Sequence, residues 1–128
     1  MKITLDEAAK MVADAQTVIL TSHIRPDGDS IGSTLGLMHC LREQGKDARV
    51  LIDDEIPRTF RILPGIEEIE RPVEGTRYTA DLLIVCDVEL KRTGAVLGAV
   101  DAVRVLNIDH HVTNDEAAEY LYLNPDYA

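Results

Sequence analysis

Residues 80–87 of the chain read Ala-Asp-Leu-Leu-Ile-Val-Cys-Asp, an apolar run that ends in an aspartate. Two other short runs rich in β-branched residues, at 17–21 and 103–108, also lead into polar clusters. Continuous apolar runs of this length are typical of parallel strands that are buried on both faces of a sheet. The pattern therefore predicts an α/β domain with a mostly parallel sheet flanked by helices.

The remaining segments continue the alternation of helices and strands. Apolar spacing predicts two long helices, the first capped by Thr4 or Asp6 and the second stopped by Gly45. These helices are predicted at residues 5–15 and at about 30–44. Shorter elements are expected as strands at 48–52 and 121–123 and as helical turns at 57–63 and 94–99. No linker or internal repeat divides the chain, so one domain is expected.

The composition excludes several classes of protein. The chain has 128 residues, with 13 basic and 23 acidic side chains and a formal net charge of −10. So acidic a surface disfavours duplex nucleic acid as a partner. No apolar run approaches the roughly 20 residues of a membrane span, and the first residues lack a signal-peptide core. We therefore expect a cytoplasmic protein without a membrane partner, in which Cys40 and Cys86 are buried, reduced thiols.

Polar residues of metal-binding type follow three of the predicted strands. Carboxyl ends of parallel strands meet at one edge of a sheet, so up to four carboxylates and three imidazoles are expected in one cleft. Divalent cations would relieve the repulsion among the carboxylates, and this mixture of ligands suits Mn²⁺, with Mg²⁺, Co²⁺ or Zn²⁺ as alternatives. The residues concerned are His23, Asp27, Asp29, Asp87, Asp109, His110 and His111.

Each of these features also has a purely structural interpretation. Asp27-Gly28-Asp29 alone is typical of a solvated turn, and Asp87 alone of a loop acid. Arg25 and His39 are expected to have no role in a site. The metal-site hypothesis depends on the joint position of the clusters after three strands.

Three segments resemble the motifs of DHH phosphoesterases. Ser-His-Ile-Arg-Pro-Asp-Gly-Asp-Ser-Ile-Gly-Ser at 22–33 resembles the first motif, and 81–87 with Arg92 and Gly94 resembles the second. Asn-Ile-Asp-His-His-Val-Thr-Asn at 107–114 resembles the third, which gives the family its name. The chain is most similar to nanoRNase/pAp phosphatase-type members, which are related to RecJ-like exonucleases.

The resemblance implies a catalytic site with two metal ions, Mn²⁺ above all. One would be held by His23, Asp27 and Asp87, and the second by Asp29, Asp87, His110 and one further aspartate. The ions would activate water for attack on phosphorus, with Asp87 bridging them. Asp109 would orient a histidine or, alternatively, cap the following loop. His111 and Arg92 would contact the substrate. The alternatives are that His111 is a core histidine and that Arg92 braces a loop.

The resemblance also implies that residues 1–128 are the N-terminal portion of a DHH domain. The family's fourth motif and its DHHA1 domain are expected to be absent, so the chain alone should be weakly active or inactive. Small phosphate esters or short oligonucleotides are the expected substrates, and a homo-oligomer is possible. Two alternatives stay open: a non-catalytic metal-binding fragment, and a nucleotide-binding Rossmann-like domain in which Asp53 or Asp54 binds a ribose.

Overall fold

The computed structural model describes residues 1–126 and contains one five-stranded sheet in which every strand pair is parallel. The order across the sheet is β2-β1-β3-β4-β5. The strands are β1 (Thr17–Thr21), β2 (Asp47–Val50), β3 (Tyr78–Cys86), β4 (Val100–Asp109) and β5 (Tyr120–Leu123). The predicted α/β class is confirmed, and the sheet is entirely rather than mostly parallel.

Two long helices begin at side-chain caps. Helix α1 (Leu5–Asp14) begins at Thr4, whose hydroxyl accepts the Glu7 N–H while the Glu7 carboxylate accepts the Thr4 N–H. Helix α2 (Gly28–Glu43) begins at Asp27, which forms the same reciprocal pattern with Ser30. The second helix therefore starts two residues earlier than the apolar spacing predicted, because the cap lies within the polar loop.

The sheet is buried on both faces at its centre, whereas the first half of β4 is largely exposed, with Val103 at the surface. Leu20, Ile84 and Leu106 pair across three adjacent strands and pack with α1 and α2 in the larger core. The side chains that alternate with these along the strands, including Ile19 and Leu83, point to the other face and pack with the short helix α3 (Val96–Ala99). Each fully buried aliphatic side chain contributes roughly 1.5–3 kcal/mol to folding.

The connections between strands are less regular than the strands. Residues 51–77 contain two 3₁₀ turns, Arg58–Phe60 and Ile66–Glu68, and an isolated parallel bridge between Leu51 and Glu70. Residues 110–119 link β4 to its parallel neighbour β5 without a helix. Met1 and Ile3 exchange backbone hydrogen bonds with Leu121, so the first residues cover the outer edge of β5.

The strand order reverses direction between β1 and β3. From β1 the chain passes to β2 on one side, whereas β3, β4 and β5 follow on the other. In open parallel sheets such a reversal leaves a crevice at the carboxyl ends of the strands, where ligands bind. The polar clusters of the sequence lie at this edge.

Several predictions need correction. Cys86 is buried, but Cys40 is exposed, because it lies off the apolar stripe of α2. Strand β4 begins at Val100 instead of residue 103, and β2 ends at Val50 instead of residue 52. Within residues 1–126, no helix has the length and apolar character needed to cross a bilayer.

Candidate metal centre

Three strands deliver the candidate ligands to the carboxyl edge. His23 lies two residues beyond β1, Asp87 directly follows β3, and Asp109 is the last residue of β4, followed by the two histidines. Asp87, Asp109, His110 and His111 form one group whose ligand atoms lie within 4.8 Å of one another, and His23, Asp27 and Asp87 form another. Asp87 belongs to both groups.

Asp27 divides its two carboxylate oxygens between the helix and the cleft. Oδ1 accepts the N–H of Ser30 at 2.9 Å as the cap of α2, and Oδ2 lies 3.8 Å from Nε2 of His23. The hydrogen bond from the Ser30 backbone is the main reason why the pKa of Asp27 is lowered. The residue is thus an anion at neutral pH with one oxygen free to bind a cation.

Asp87 is oriented toward histidines on both sides. Its Oδ1 lies 2.6 Å from Nε2 of His110, and its Oδ2 lies 4.0 Å from Nε2 of His23. The backbone of Asp87 has a φ of 67° and therefore occupies the left-handed region, while its N–H donates to Ile108 O at 2.9 Å. A turn of this shape lets one carboxylate face both groups of ligands.

Asp109 is a buried carboxylate surrounded by hydrogen-bond donors. It accepts from Asn114 Nδ2 at 2.8 Å, from His111 Nδ1 at 2.6 Å and from the His110 N–H at 2.8 Å. Burial opposes ionisation, but these hydrogen bonds outweigh it and lower the pKa of Asp109. Asp109 therefore contacts the ring of His111 and also accepts two backbone N–H groups of the following loop, so the structure contains the contacts of both interpretations.

His111 lies at the surface of the cleft and not in the core. Its side chain is 48% exposed, and its ring centroid lies 4.2 Å from that of His110. Because Nδ1 faces the Asp109 carboxylate, that nitrogen carries the proton and Nε2 is the nitrogen left for a ligand.

Two cavities open beside Asp87, and the other predicted site residues line one or the other of them. The first has a volume of about 240 Å³ and is lined by His23, Asp27, Arg92 and His111, among others. The second has a volume of about 280 Å³, and Asp29 and His110 contribute to its lining. Among residues 1–126, Asp29 shares this second cavity without joining either of the close ligand groups.

Several residues outside the ligand set have structural roles. The carboxylates of Asp53 and Asp54 accept backbone N–H groups from Ala95 and Arg25, respectively. Both acids are therefore engaged in holding loops, which argues against a ribose-binding role. His39 hydrogen bonds to Pro64 O at 3.1 Å, and Arg25 is an exposed loop residue, as expected.

Sequence reasoning missed three buried polar residues behind the ligands. They are Ser22, Asn107 and Asn114, which bond to the turns that carry Asp87 and Asp109. All three lie in the quoted motif segments, so the polar residues at the edges of those segments were the available signal.

The donor set fits a divalent cation. Imidazole nitrogens and carboxylate oxygens are suitable ligands for Mn²⁺ and for related first-row ions. Two adjacent ligands that each lie about 2.1 Å from one octahedral ion are ~3 Å apart. Nε2 of His23 lies 3.8 and 4.0 Å from its two carboxylates, which is wider, and Nε2 of His110 lies 2.6 Å from Asp87, which is shorter. Side-chain shifts of about 1 Å or less would bring each pair to the separation that a bound ion requires.

Comparison with known proteins identifies the family of the chain. The model of the DHH family, N-terminal domain, matches residues 17–128. The chain therefore belongs to the DHH family.

Two curated relatives carry the same name, bifunctional oligoribonuclease and PAP phosphatase NrnA. The Thermus thermophilus protein is 38% identical over 111 residues, which cover 87% of this chain and 33% of the relative. The Bacillus subtilis protein is 26% identical over 118 residues, which cover 92% of this chain and 36% of the relative. The chain thus spans about a third of the length of the curated relatives that it matches.

A solved structure has the same fold. It is an exopolyphosphatase-related protein from Bacteroides fragilis, with a TM-score of 0.81 and 28% sequence identity. The match covers 95% of this chain and 38% of the other.

Proposed function

We propose that the chain supplies the metal-binding part of a phosphoesterase that hydrolyses small nucleotides or short oligonucleotides. The observation that carries the proposal is the orientation of Asp87, with Oδ1 toward His110 and Oδ2 toward His23. One carboxylate shared between two ligand groups is the arrangement that holds two cations close together.

The ligands in this proposal follow the two groups around Asp87. His23, Asp27 and Asp87 would hold one cation, and Asp87, His110 and Asp29 would contribute to a second. Mn²⁺ is the proposed ion, with Mg²⁺ or Co²⁺ as alternatives. When bound, the cations would supply a water of lowered pKa and positive charge opposite the phosphoryl oxygens.

The chain's own side chains would bind and orient the phosphate. Because the Nδ1–H of His111 is held by Asp109, Nε2 would carry the lone pair of the neutral ring and could accept a proton in the cleft. Once protonated, Nε2 would donate to a phosphate oxygen or pass that proton to the leaving group. Arg92 lines the same cavity and would donate to another phosphate oxygen. Asp109 would act in catalysis by keeping the ring of His111 in this tautomer.

The net charge of the chain and the names of its relatives both support this class of substrate. An acidic chain with one cation-binding cleft is suited to small phosphate esters, and a duplex would be repelled by the net charge of −10. The two bacterial relatives are named for oligoribonucleotide and PAP hydrolysis. We infer substrates of this size for the present chain.

We further infer that these residues form the N-terminal portion of a DHH domain and that the isolated chain is weakly active or inactive. The coverage of about a third of each relative supports this inference. The non-catalytic metal-binding fragment is accordingly the second candidate function. The cytoplasmic location and the homo-oligomer expected from the sequence stay predictions.

A chimera tests the proposed function. The chain would replace the matching third of the Thermus thermophilus relative, and Mn²⁺-dependent hydrolysis of a diribonucleotide and of 3′-phosphoadenosine 5′-phosphate would be measured. We expect hydrolysis by the chimera and at least a 100-fold loss in its Asp87→Ala variant, since one change removes a ligand from both groups. A folded chimera whose turnover is unaffected by Asp87→Ala would contradict the proposal.

A further inference from the structure

Asp87 has an unusual backbone conformation for a residue with a side chain. Its φ of 67° lies in the left-handed region, which is strained for a residue other than glycine. Such a conformation persists only where the surrounding structure imposes it. The contacts around Asp87 therefore indicate what holds this carboxylate in place.

Three backbone carbonyls around Asp87 are held by two buried side chains. Nδ2 of Asn107 donates to Val85 O at 3.0 Å and to Val88 O at 2.7 Å. One side-chain amide therefore bonds to the backbone before and after Asp87. The hydroxyl of Ser22 donates to Cys86 O at 2.7 Å. Asn107 is 1% exposed and Ser22 is fully buried, which shields these hydrogen bonds from water.

A second amide fixes the direction of the first. Nδ2 of Asn114 donates to Oδ1 of Asn107 at 3.0 Å and to Oδ2 of Asp109 at 2.8 Å. With its oxygen engaged in this way, Asn107 must direct its two N–H groups at the carbonyls of Val85 and Val88. The amide chain thus runs from the Asp87 turn to the carboxylate that orients His111.

We propose that Asn107 is a positioning residue of the metal centre, which holds the Asp87 turn in its left-handed form and couples it to Asp109 through Asn114. This inference rests on the proposed function for its metal-binding consequence. An apolar side chain at position 107 could fill the space, but it could not restrain the carbonyls on either side of Asp87. The amide therefore acts through the geometry of Asp87 and not through contact with a ligand.

The first test is Mn²⁺ affinity measured by calorimetry on Asn107→Ala. We expect binding to weaken by roughly 10–100-fold, the loss typical of removing an outer support of a metal ligand. Thr34→Val is the matched control, because Thr34 is also fully buried and donates to backbone carbonyls, those of Ser30 and Ile31 in α2. Its Mn²⁺ affinity should equal that of the wild type.

The second test uses the metal-free chain and is independent of the proposed function. A positive φ shortens the distance between the amide and α protons of one residue, so Asp87 should show a strong intraresidue NOE. We expect this NOE in the wild type and in Thr34→Val, and its loss in Asn107→Ala. If Asn107→Ala does not fold, the nearly isosteric Asn107→Asp carries the same test, because it keeps an acceptor for Asn114 and removes the donor to Val85 O and Val88 O.

The outcomes are separable. A folded Asn107→Ala that keeps the NOE, or that loses it and still binds Mn²⁺ like the wild type, would overturn the inference. If the wild type binds no Mn²⁺, the proposed function fails, and the NOE alone then decides whether Asn107 holds Asp87.

Discussion

Asn114 donates to Oδ2 of Asp109 at 2.8 Å, and the donor and the acceptor are both buried. The other N–H of the Asn114 amide donates to Oδ1 of Asn107 at 3.0 Å. Asn114 thus satisfies an oxygen on each of two residues in the third motif, and its loss would leave both oxygens without that donor.

The first prediction concerns stability. Asn114→Ala should lower the free energy of unfolding by about 1–3 kcal/mol, the cost of leaving buried acceptors unpaired. Urea denaturation would measure the change. Asn124→Ala is the control, because the half-buried Asn124 side chain donates to Tyr122 at a long 3.4 Å and accepts only the exposed Asp126 N–H, at 3.1 Å. This change should alter stability by less than about 0.5 kcal/mol. Equal losses in the two variants would contradict the structural role of Asn114.

The second prediction concerns the stability of the chain at acidic pH. Asp81 accepts the N–H groups of Gln16 and Thr17 at 2.9 and 3.1 Å, and these hydrogen bonds lower its pKa in the folded chain. A group with a lowered folded pKa stabilises the protein above its unfolded pKa, ~3.9, and this contribution disappears as the pH falls through the folded value. Asp81→Asn should therefore reduce the loss of stability below about pH 4. Thermal unfolding from pH 3 to 7 measures this, and identical pH profiles for both proteins would refute it.

The third prediction concerns the two thiols. Cys40 is exposed, whereas Cys86 is buried, and burial together with the charge of Asp87 raises the pKa of Cys86 to about 12. Only one thiol should react quickly with Ellman's reagent in the folded chain, and both should react in urea, since attack requires an accessible thiolate. Cys40→Ser should remove the fast reaction. A fast reaction that survives in Cys40→Ser would show that Cys86 is accessible.

The fourth prediction compares two glycines. Gly94 has a φ of 65°, and a Cβ added there would clash with the Asp53 carboxylate, so Gly94→Ala should cost roughly 1–3 kcal/mol. Gly98 lies in α3 and has free space at its Cβ position, so Gly98→Ala should be neutral or stabilise by up to about 1 kcal/mol. Urea denaturation of both variants tests the pair. A larger loss at Gly98 than at Gly94 would contradict the conformation of this loop.

Local pattern was sufficient for the parts of the fold that are apolar and regular. Strand β3 and the apolar stripe of α2 follow directly from residue spacing. The start of α2 was misjudged because Gly28 is a poor helix former, and only the cap by Asp27 with Ser30 makes it the first residue. Cys40 was wrongly expected to be buried, although the stripe formed by Met38 and Leu41 already excluded it.

The grouping of the candidate ligands at one edge was predictable from the sequence, whereas the buried residues that support them were not. His23, Asp27, Asp87 and the two histidines follow strands, so the rule that parallel carboxyl ends share an edge was enough to group them. The sequence marks Asn107 as a polar residue at the edge of the third motif, but it does not show what that residue contacts, because its partners are carbonyls of Val85 and Val88, about 20 residues away. Backbone acceptors leave no signature in residue type.

The most direct test of the central claim is a calorimetric titration of the chain with Mn²⁺, alongside Asp87→Ala and Asp101→Ala. Asp101 is an exposed acid at the opposite end of β4, where it pairs with Arg77, so its loss controls for the change in net charge. We predict that the wild type and Asp101→Ala bind Mn²⁺ and that binding is abolished in Asp87→Ala. A folded wild type that binds no Mn²⁺, or an Asp87→Ala variant that binds it equally well, would contradict a metal centre built around Asp87.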